Sequence, residues 1–190
     1  MSFPVAIESR RKKPETLAKL WPAALVADVT SKGPAPWVRF SPFFPHGGIP
    51  IPNTPDQFAE SVEGLWQGLK VFEKGDVDAS KWRIRTMRDI KRSEKSRGAV
   101  RGHRFGVGSG ELLGYRDARY RIYLPAYRWV LENCLVREIA QLRAELRARP
   151  VVLLDYETNE DVNDLSRPLS HAALVMHFLN GTWPEPLTNR

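Results

Sequence analysis

The chain of 190 residues is long enough to bury a substantial core, and its hydrophobic fraction of 42% is typical of a globular protein. No apolar run approaches the roughly 20 residues of a membrane span, and charge follows the start too early for a signal peptide, so we expect a cytoplasmic protein without membrane contact. A single cysteine, Cys134, excludes a disulfide framework and a cysteine-based metal site.

The N-terminal third predicts one short helix followed by two strands. Residues 14–21 favour a helix, and residues 23–29 form an apolar strand that ends in the turn-rich run T-S-K-G-P. Residues 37–40 favour a second strand. No linker or composition shift marks an internal boundary, so we expect an N-terminal extension over 1–22 and one domain over 23–190.

A helix is predicted over about residues 56–73, directly after a Pro/Gly-rich aromatic loop with the sequence F-S-P-F-F-P-H-G-G-I-P-I-P. Apolar residues recur in this segment at intervals of three and four, which marks one buried stripe. Asp56 can cap the first turn. The stripe consists of Phe58, Val62, Leu65, Leu69 and Phe72.

Outside this stripe, Glu63, Gln67 and Lys70 form one column on the predicted helix, with Trp66 at its border. Polar side chains at such spacings are often a solvated face with a routine ion pair. The preceding loop favours a different interpretation, because its prolines stiffen it and its Gly-Gly pair permits backbone shapes closed to other residues. A stiff aromatic wall beside an acid, an amide and an ammonium predicts a ligand pocket.

Positive charge is concentrated in residues 81–104, which contain ten Lys and Arg against two acids, while the net charge of the whole chain is +7. A dense basic segment favours phosphate-bearing partners such as DNA, RNA or a nucleotide. A solvated surface face is the alternative, because many charge runs are nothing more. Within the segment, Trp82, Ile84 and Thr86 alternate as in a half-buried strand.

Glycines, cations and aromatic residues mix in the part of the chain that follows. The run G-V-G-S-G at 106–110 lacks the spacing of a dinucleotide loop and predicts a flexible loop. Its neighbours His103 and Arg104 are candidate phosphate ligands. Arg116 and Tyr120 can hold a phosphate and a base, although the start of a surface helix explains them equally well.

The C-terminal third predicts two helices and a strand. The longest helix is expected over about 124–147, a short apolar strand over 151–154, and a last helix over about 169–179 that begins near Ser166 or Ser170.

Five acids crowd into the ten residues after the strand, and carboxylates at a strand end suit catalysis or metal binding. A calcium loop would need glycine and a closing glutamate where Glu160 and Ser166 stand, which argues against calcium. His171 and His177 do not share a helical face, so we expect His171 to be packed or hydrogen-bonded, and we predict no metal site. The acids are Asp155, Glu157, Glu160, Asp161 and Asp164.

The loop and the helix after it resemble the NADAR superfamily, whose members carry F-S-x-F-x-P, a short spacer, and S-x-E-x-x-x-Q-x-x-K-F on a helix. Here these elements are residues 40–45 and 61–72, with Val71 inserted between the lysine and the final aromatic residue. The likeness fades after residue 72. The chain looks like a divergent branch, similar to uncharacterised bacterial and phage proteins.

Known members of that superfamily are N-glycosidases: some act on a ribosyl-aminopyrimidine of riboflavin synthesis, and others remove ADP-ribose from guanine in DNA. The resemblance carries a catalytic role to Glu63 and a pocket role to Lys70. Tyr120 is our candidate for a family tryptophan, and Asp155 or Asp161 for a late catalytic acid. The residues expected to bind substrate are Phe40, Phe44, Gly47, Gly48, Trp66, Gln67, Lys70, His103, Arg104 and Arg116.

The predicted elements and the resemblance together give an α+β fold: a mostly helical, NADAR-like single domain with a few short strands. Hydrolysis of a C1′–N bond needs stabilisation of an oxocarbenium-like sugar and activation of water, and a carboxylate such as Glu63 can do either. Lys70 can hold a phosphate while an aromatic ring stacks on the base, and no cofactor is required.

Our leading hypothesis is therefore an N-glycoside hydrolase that acts on a ribosylated or ADP-ribosylated nucleobase, including ADP-ribosylated guanine in DNA. Two alternatives stay open. One is a non-catalytic nucleic-acid-binding protein that uses residues 81–104 to follow DNA or RNA phosphates, and the other is a sensor that binds a nucleotide or ADP-ribose without turnover.

Overall fold

The computed structural model describes residues 3–108 and 110–185, in which helices and short strands alternate. Helical residues outnumber strand residues and the described strands form small sheets, which confirms the predicted α+β class. The strands are β1 (Val5–Ser9), β2 (Leu25–Asp28), β3 (Ile49–Pro50), β4 (Phe58–Ala59), β5 (Lys70–Phe72), β6 (Val100–Arg104), β7 (Leu112–Leu113) and β8 (Val151–Asp155). The α-helices are α1 (Pro14–Leu20), α2 (Val62–Leu69), α3 (Glu94–Arg97), α4 (Tyr115–Ala118), α5 (Leu124–Asn133), α6 (Val136–Glu145) and α7 (His171–Asn180).

The described residues divide into two compact units. The first unit consists of residues 3–41 and 131–184, and the second consists of residues 42–130, except 109, with residue 185. Strand β1 and helix α1, which come from the segment predicted as an N-terminal extension, belong to the first unit. The predicted flexible loop at 106–110 includes Ser109, which lies outside the described residues.

The first unit contains a three-stranded parallel sheet in the order β1-β8-β2. The central strand β8 has the sequence V-V-L-L-D and is buried along its whole length, as expected for a strand paired on both edges. Leu17 of α1 packs against Val152 and Leu154, and α7 contacts both β1 and β8. The sheet thereby places Asp155 at the carboxyl end of a fully buried strand.

Two helices and two strands of this unit confirm the sequence predictions, because α1, β2, β8 and α7 begin and end within two residues of the expected limits. The strand expected at 37–40 is wrong, since these residues form a 3-10 helix. Pro34 and Pro36 favour a turn at this point, and the Val38 N–H donates to the Pro34 carbonyl oxygen at 3.0 Å.

The single long helix expected over 124–147 is also wrong, because the chain forms α5 and α6 with a break between them. Leu135 leaves helical geometry (φ −117°, ψ 20°) and becomes the N-cap of α6. The apolar spacing could not reveal the break, since it continues across it. The buried apolar residues that continue at helical spacing through this segment are Tyr127, Val130, Leu131, Leu135, Ile139, Leu142 and Leu146.

The second unit contains an antiparallel sheet in the order β5-β6-β7 and a short β3–β4 pair. In the larger sheet, Lys70 of β5 lies opposite His103 of β6, and His103 lies opposite Leu113 of β7. Gly102 lets these strands approach, because a Cβ atom there would lie 2.4 Å from the Leu113 carbonyl oxygen. The register therefore brings a lysine and a histidine side by side.

Helix α2 is shorter than predicted. Asp56 does not cap it, since Asp56 has a positive φ of 60° and Phe58–Ala59 pairs with β3 as strand β4. The N-cap is Ser61, whose hydroxyl oxygen accepts the Gly64 N–H at 3.0 Å. All eight helical residues are buried, whereas Phe58 of the expected stripe is exposed. The spacing found the buried core of this helix and missed both of its ends.

One face of α2 packs closely against a 3-10 helix, Ala79–Arg83. A Cβ atom on Gly68 would lie 2.0 Å from the Trp82 Nε1 atom, and one on Gly64 would lie 2.6 Å from the Lys81 carbonyl oxygen. The half-buried strand predicted around Trp82 is therefore wrong. Asp78 caps the 3-10 helix instead, and Trp82 is buried on the glycine face of α2.

Candidate functional site

Glu63 lies in the first turn of α2 and is only 8% exposed. Its backbone N–H donates to the Pro42 carbonyl oxygen at 2.8 Å, so the loop after residue 41 joins the helix at this residue. An acid that is almost completely removed from water needs polar partners, because burying an unpaired charge is costly.

Gln67 supplies the first of these partners, one turn further along α2. Its side-chain Nε2 donates to Glu63 Oε1 at 2.9 Å, while its Oε1 accepts the backbone N–H of Arg92 at 3.1 Å. Since a backbone N–H can only donate, it fixes which end of the amide faces Glu63. In the predicted column, Gln67 is therefore hydrogen-bonded to Glu63 on one side and to the Arg92 backbone on the other.

Arg92 holds the carboxyl end of this helix. Its guanidinium donates to the carbonyl oxygens of Gln67 at 3.1 Å, Lys70 at 2.5 Å and Asp76 at 2.9 Å. In the sequence Arg92 is one of the cations of the basic segment, whereas the structure buries it. No local pattern could have identified its role, because its partners lie 16 to 25 positions earlier in the chain.

The carboxyl of Glu63 and the ammonium of Lys70 both have shifted pKa values. Burial raises the pKa of Glu63, while the Gln67 hydrogen bond and the charges of Lys91 and Lys70 offset part of the rise. Burial lowers the pKa of Lys70, against the opposing charge of Glu63. Titratable groups that shift each other in a buried cluster are typical of functional sites.

Two polar atoms of this cluster have no protein partner among the residues that the structure describes. Glu63 Oε2 accepts no hydrogen bond, and Lys70 Nζ makes neither a hydrogen bond nor an ion pair. The cluster therefore offers one acceptor and one cation to a ligand.

His103 completes the cluster beside Lys70. Its ring packs against Trp66, with ring centroids 3.7 Å apart, and the residue is only 1% exposed. Burial and the charge of Lys70 lower its pKa to about 3, so the imidazole is neutral at physiological pH. As a neutral ring, His103 could bind a phosphate through one N–H only, and its role as a phosphate ligand stays a prediction.

Further aromatic rings surround Trp66. The ring centroids of Tyr123 and Tyr115 lie 5.6 and 6.0 Å from its own. The buried Arg119 guanidinium lies 4.5 Å from the Tyr115 ring centroid and donates to its hydroxyl at 3.2 Å. The local sequence gives no signal for Tyr115, because only the fold brings it to Trp66, which lies 49 positions earlier.

Tyr120 and Arg116, predicted as a catalytic and a binding residue, lie close to each other. The Arg116 guanidinium carbon is 5.7 Å from the Tyr120 ring centroid, and Tyr120 is half-buried. Tyr120 belongs to a π-helical turn, Arg119–Tyr123, a geometry that often occurs at functional sites. Their predicted roles stay predictions.

The aromatic loop divides between the two units. Phe40 is fully buried in the first unit and its ring stacks on Trp37, with centroids 6.3 Å apart, so it is a core residue. In the second unit, Phe44 packs on His46, with centroids 4.8 Å apart, and Lys91 Nζ lies 5.5 Å from the Phe43 ring centroid.

Gly47 and Gly48 have φ angles of 77° and 67°, so both adopt the left-handed geometry that the Gly-Gly pair was expected to provide. The Gly47 N–H donates to the Glu60 carbonyl oxygen at 2.9 Å, which ties the loop to the residue before the α2 cap. The pair thus shapes the turn that precedes the helix.

Arg104, the other predicted phosphate ligand, is held by acidic and carbonyl oxygens. Its Nε and Nη2 donate to the Asp76 carboxylate at 3.0 and 2.6 Å, and its Nη1 donates to the Gly110 carbonyl oxygen at 2.9 Å. Arg104 therefore forms an ion pair with a carboxylate of the protein itself, and its phosphate contact stays a prediction.

Asp155 belongs to the first unit, where it forms a buried ion pair. Its Oδ2 accepts from His171 Nδ1 at 2.9 Å and from the Ser170 hydroxyl at 2.8 Å, and its Oδ1 accepts the Tyr156 N–H at 2.7 Å. His171 Nε2 bonds the Val29 carbonyl oxygen at 2.8 Å. These bonds confirm the expectation that His171 is hydrogen-bonded, whereas the catalytic role predicted for Asp155 stays a prediction.

Asp161, the other candidate for a late acid, is exposed in a turn. Its Oδ1 accepts the Asn163 N–H at 2.8 Å, a local bond between residues two apart. This geometry is that of a turn-forming side chain. It does not bring Asp161 into a cluster with another titratable group.

Two further observations concern the described part of the chain. It holds no group of three or more His, Cys, Asp or Glu side chains placed to bind a metal ion. None of its helices combines the length and the apolar character needed to cross a bilayer.

The fold and the site define an α+β protein with a buried carboxyl–amide–lysine cluster. The chain matches the model of DUF6939, a family of unknown function, over residues 9–175, and therefore belongs to that family. No curated protein and no solved structure matches the chain. The function must therefore be argued from the chemistry of the site, and the resemblance to the NADAR superfamily stays a prediction.

Proposed function

We propose that this protein is an N-glycoside hydrolase that cleaves the bond between a nucleobase and a ribosyl or ADP-ribosyl group. The observation that carries the proposal is the Glu63 carboxyl, which is buried and bonded by Gln67 through one oxygen. Its second oxygen has no protein partner among the described residues. A fixed carboxylate with one available oxygen matches what this hydrolysis requires.

Glu63 acts through its free oxygen. As a carboxylate, Oε2 orients a water molecule toward C1′ and offsets the positive charge that develops on the sugar. Burial raises the pKa of Glu63, which makes its ionised form a stronger base at neutral pH. The Gln67 amide keeps the carboxylate in one orientation throughout.

Lys70 and the aromatic residues bind the rest of the substrate. The Lys70 ammonium is unpaired among the described residues and holds a phosphate oxygen of the sugar phosphate. The ring surfaces around Trp66 offer a stacking surface for the base. ADP-ribosylated guanine in DNA is one substrate that meets these requirements.

The proposal is tested by incubating wild-type protein and the Glu63→Gln variant with two substrates, ADP-ribosylated DNA and a ribosylated aminopyrimidine phosphate. Released base and sugar are measured by mass spectrometry. Glu73→Gln is the matched control, because Glu73 is a partly exposed acid of the same unit that pairs with Arg101.

We expect wild type and Glu73→Gln to release base from at least one substrate, and Glu63→Gln to be slower by ~10²-fold or more, the contribution of a positioned acid or base. Equal rates for Glu63→Gln and wild type would remove Glu63 from the mechanism. No release from either substrate by wild type would count against the hydrolase.

Binding without chemistry is the remaining candidate, because Lys70 and Glu63 Oε2 would serve a nucleotide or ADP-ribose sensor equally well. Binding of ADP-ribose in calorimetry, together with no product from any substrate, would favour the sensor. The basic segment supports a nucleic-acid binder less well, since acids pair with part of it: Arg85 with Glu60, Arg92 with Asp78, Arg101 with Glu73 and Arg104 with Asp76.

A further inference from the structure

His103 has two ring nitrogens that are closed to solvent and bonded to nothing among the described residues. Polar atoms in protein interiors almost always have hydrogen-bond partners, and a bare pair on one side chain is costly to maintain. The ring is not a loose surface group either, because it lies in the central strand of a sheet with neighbours on both edges. The missing partner therefore calls for an explanation.

Proton transfer does not provide one. The pKa of His103 is about 3, because the ring is buried and lies near the charge of Lys70. At neutral pH the imidazole thus has one N–H donor and one bare nitrogen acceptor. Such a ring can exchange hydrogen bonds with a polar group.

The edge of the His103 ring carries both unpartnered nitrogens, and it is the part that a polar ligand group would contact. One face of His103 packs against Trp66 at a centroid separation of 3.7 Å, and Trp66 directly precedes Gln67 in α2 and follows Glu63 by three residues. Lys70 lies directly opposite His103 in the β5–β6 register, so their side chains share a face of the sheet. The Trp66 contact and the Lys70 register place His103 beside the cluster that contains Glu63.

A ligand can reach the closed ring nitrogens only if a neighbouring side chain moves, and Lys70 lies directly opposite His103 in the sheet. No hydrogen bond or ion pair with the described residues restrains its ammonium. A ligand that draws the ammonium toward an anionic group would shift the lysine side chain and uncover the histidine edge. Binding of an anion and exposure of His103 would then occur together.

We propose that His103 is a specificity residue whose ring edge exchanges hydrogen bonds with a hydroxyl group of the substrate's sugar. A hydroxyl both donates and accepts, which matches a neutral imidazole, whereas a phosphate oxygen only accepts. The inference rests on the proposed function for the identity of the ligand as a ribosyl compound. It adds that the sugar hydroxyl, rather than the phosphate, is read by this residue.

The test is a long-range ¹H–¹⁵N spectrum of histidine-labelled protein, titrated separately with ribose 5-phosphate and inorganic phosphate. Four histidines are present, and the His103 signals are assigned by their loss in His103→Phe. We expect ribose 5-phosphate to shift the His103 ring nitrogens further than inorganic phosphate does, because phosphate draws Lys70 away but supplies no sugar hydroxyl. The buried ring of His171 belongs to the first unit and serves as an internal control.

A lack of His103 shift with ribose 5-phosphate would overturn the inference, whether or not other signals move, and so would an equal shift with phosphate alone. ADP-ribose titrations in calorimetry give a second measurement. We expect His103→Phe to weaken binding about tenfold, the usual effect of losing one hydrogen bond to a ligand, and His103→Asn to recover part of it. Wild-type affinity in His103→Phe would also contradict the inference.

These results separate the two claims. Lost turnover in Glu63→Gln combined with an unshifted His103 would retain the hydrolase and remove the specificity role. A shifted His103 in a protein that releases no base would retain the sugar contact and remove the hydrolase.

Discussion

At the scale of single residues, the site depends on how a buried carboxyl is stabilised without being neutralised by an ion pair. Glu63 receives one hydrogen bond from an amide, and its nearest cations act at longer range. Because Gln67 is itself fixed by the Arg92 backbone, the acid is oriented while one oxygen stays available. A direct salt bridge would have occupied that oxygen.

The neutral, buried His103 predicts acid sensitivity. Its pKa of about 3 lies below the ordinary value near 6.5, so the unfolded chain takes up the proton first as the pH falls. His103 should therefore lower the free energy of unfolding between pH 6.5 and 3, by on the order of 1 kcal/mol per pH unit.

Urea unfolding at pH 7, 6 and 5 measures this effect as the difference in slope between wild type and His103→Phe. We expect the variant to lose less stability over this interval, whatever its stability at pH 7. Parallel curves would show that His103 titrates normally.

The Asp155–His171 pair makes an opposite pH prediction. Both nitrogens of His171 face acceptors, so the ring is doubly protonated. Burial alone would lower the pKa of His171, but the charge and hydrogen bond of Asp155 raise it. The stabilisation is therefore complete below about pH 6.5 and is lost as the pH rises through the raised pKa.

Asp155→Asn removes the partner and leaves a buried histidine without its counter-charge. We expect the free energy of unfolding to fall by about 3–5 kcal/mol at pH 6, as when other buried pairs are broken, and its decline above pH 6.5 to flatten. Urea unfolding from pH 6 to 9 measures both effects. Asp161→Asn is the control, since that acid is exposed; an equal loss in the two variants would contradict this account.

Much of the residue chemistry could be predicted and some of it could not. Helical spacing was enough to put Glu63 and Gln67 on one side of a helix, because side chains four apart are neighbours. Arg92, Tyr115 and the burial of His103 depend on strand pairing and on contacts between distant segments, for which the local sequence contains no signal.

At the scale of elements, α2 owes its position to two glycines spaced four apart. Gly64 and Gly68 let the 3-10 helix at 79–83 approach the helix backbone, and Trp82 lies where a side chain on Gly68 would be. This packing fixes the position of the helix that contains Glu63.

Gly68→Ala tests that packing. Alanine favours a helix over glycine by up to about 1 kcal/mol, but its Cβ atom would overlap the Trp82 ring, and overpacking typically costs ~1–3 kcal/mol. We expect a net loss of stability in thermal unfolding. Gly114→Ala is the matched control, because nothing lies within 4 Å of a Cβ atom there; a variant at 68 as stable as that control would rule out the close packing.

Element prediction succeeded where one pattern dominated and failed where two competed. The apolar run of β8 and the Ser170 cap of α7 are unambiguous signals, and both elements form as expected. The break at Leu135 and the 3-10 helix at 37–40 follow from backbone geometry that apolar spacing does not encode.

At the scale of the whole molecule, the charge of +7 is less concentrated than the sequence implies. Arginines of the basic segment pair with acids at positions 60, 73, 76 and 78, all of which precede that segment. Composition predicted a basic surface because it contains no information about which charges form ion pairs after folding.

The α+β class followed from the sequence, because helical and alternating patterns are interspersed along the chain. The division into two compact units did not, since the chain leaves the first unit near residue 41 and returns to it near residue 131 without a linker composition at either point. The family match covers residues 9–175 and therefore includes sequence from both units.

The most direct test of the central claim is the single-turnover rate of base release at neutral pH, compared between wild type and Glu63→Gln with enzyme in excess over a ribosylated nucleobase. The account predicts that the variant is slower by about 100-fold or more, while binding of ribose 5-phosphate is retained. Base release by Glu63→Gln at the wild-type rate would contradict the claim that this carboxyl carries out the hydrolysis.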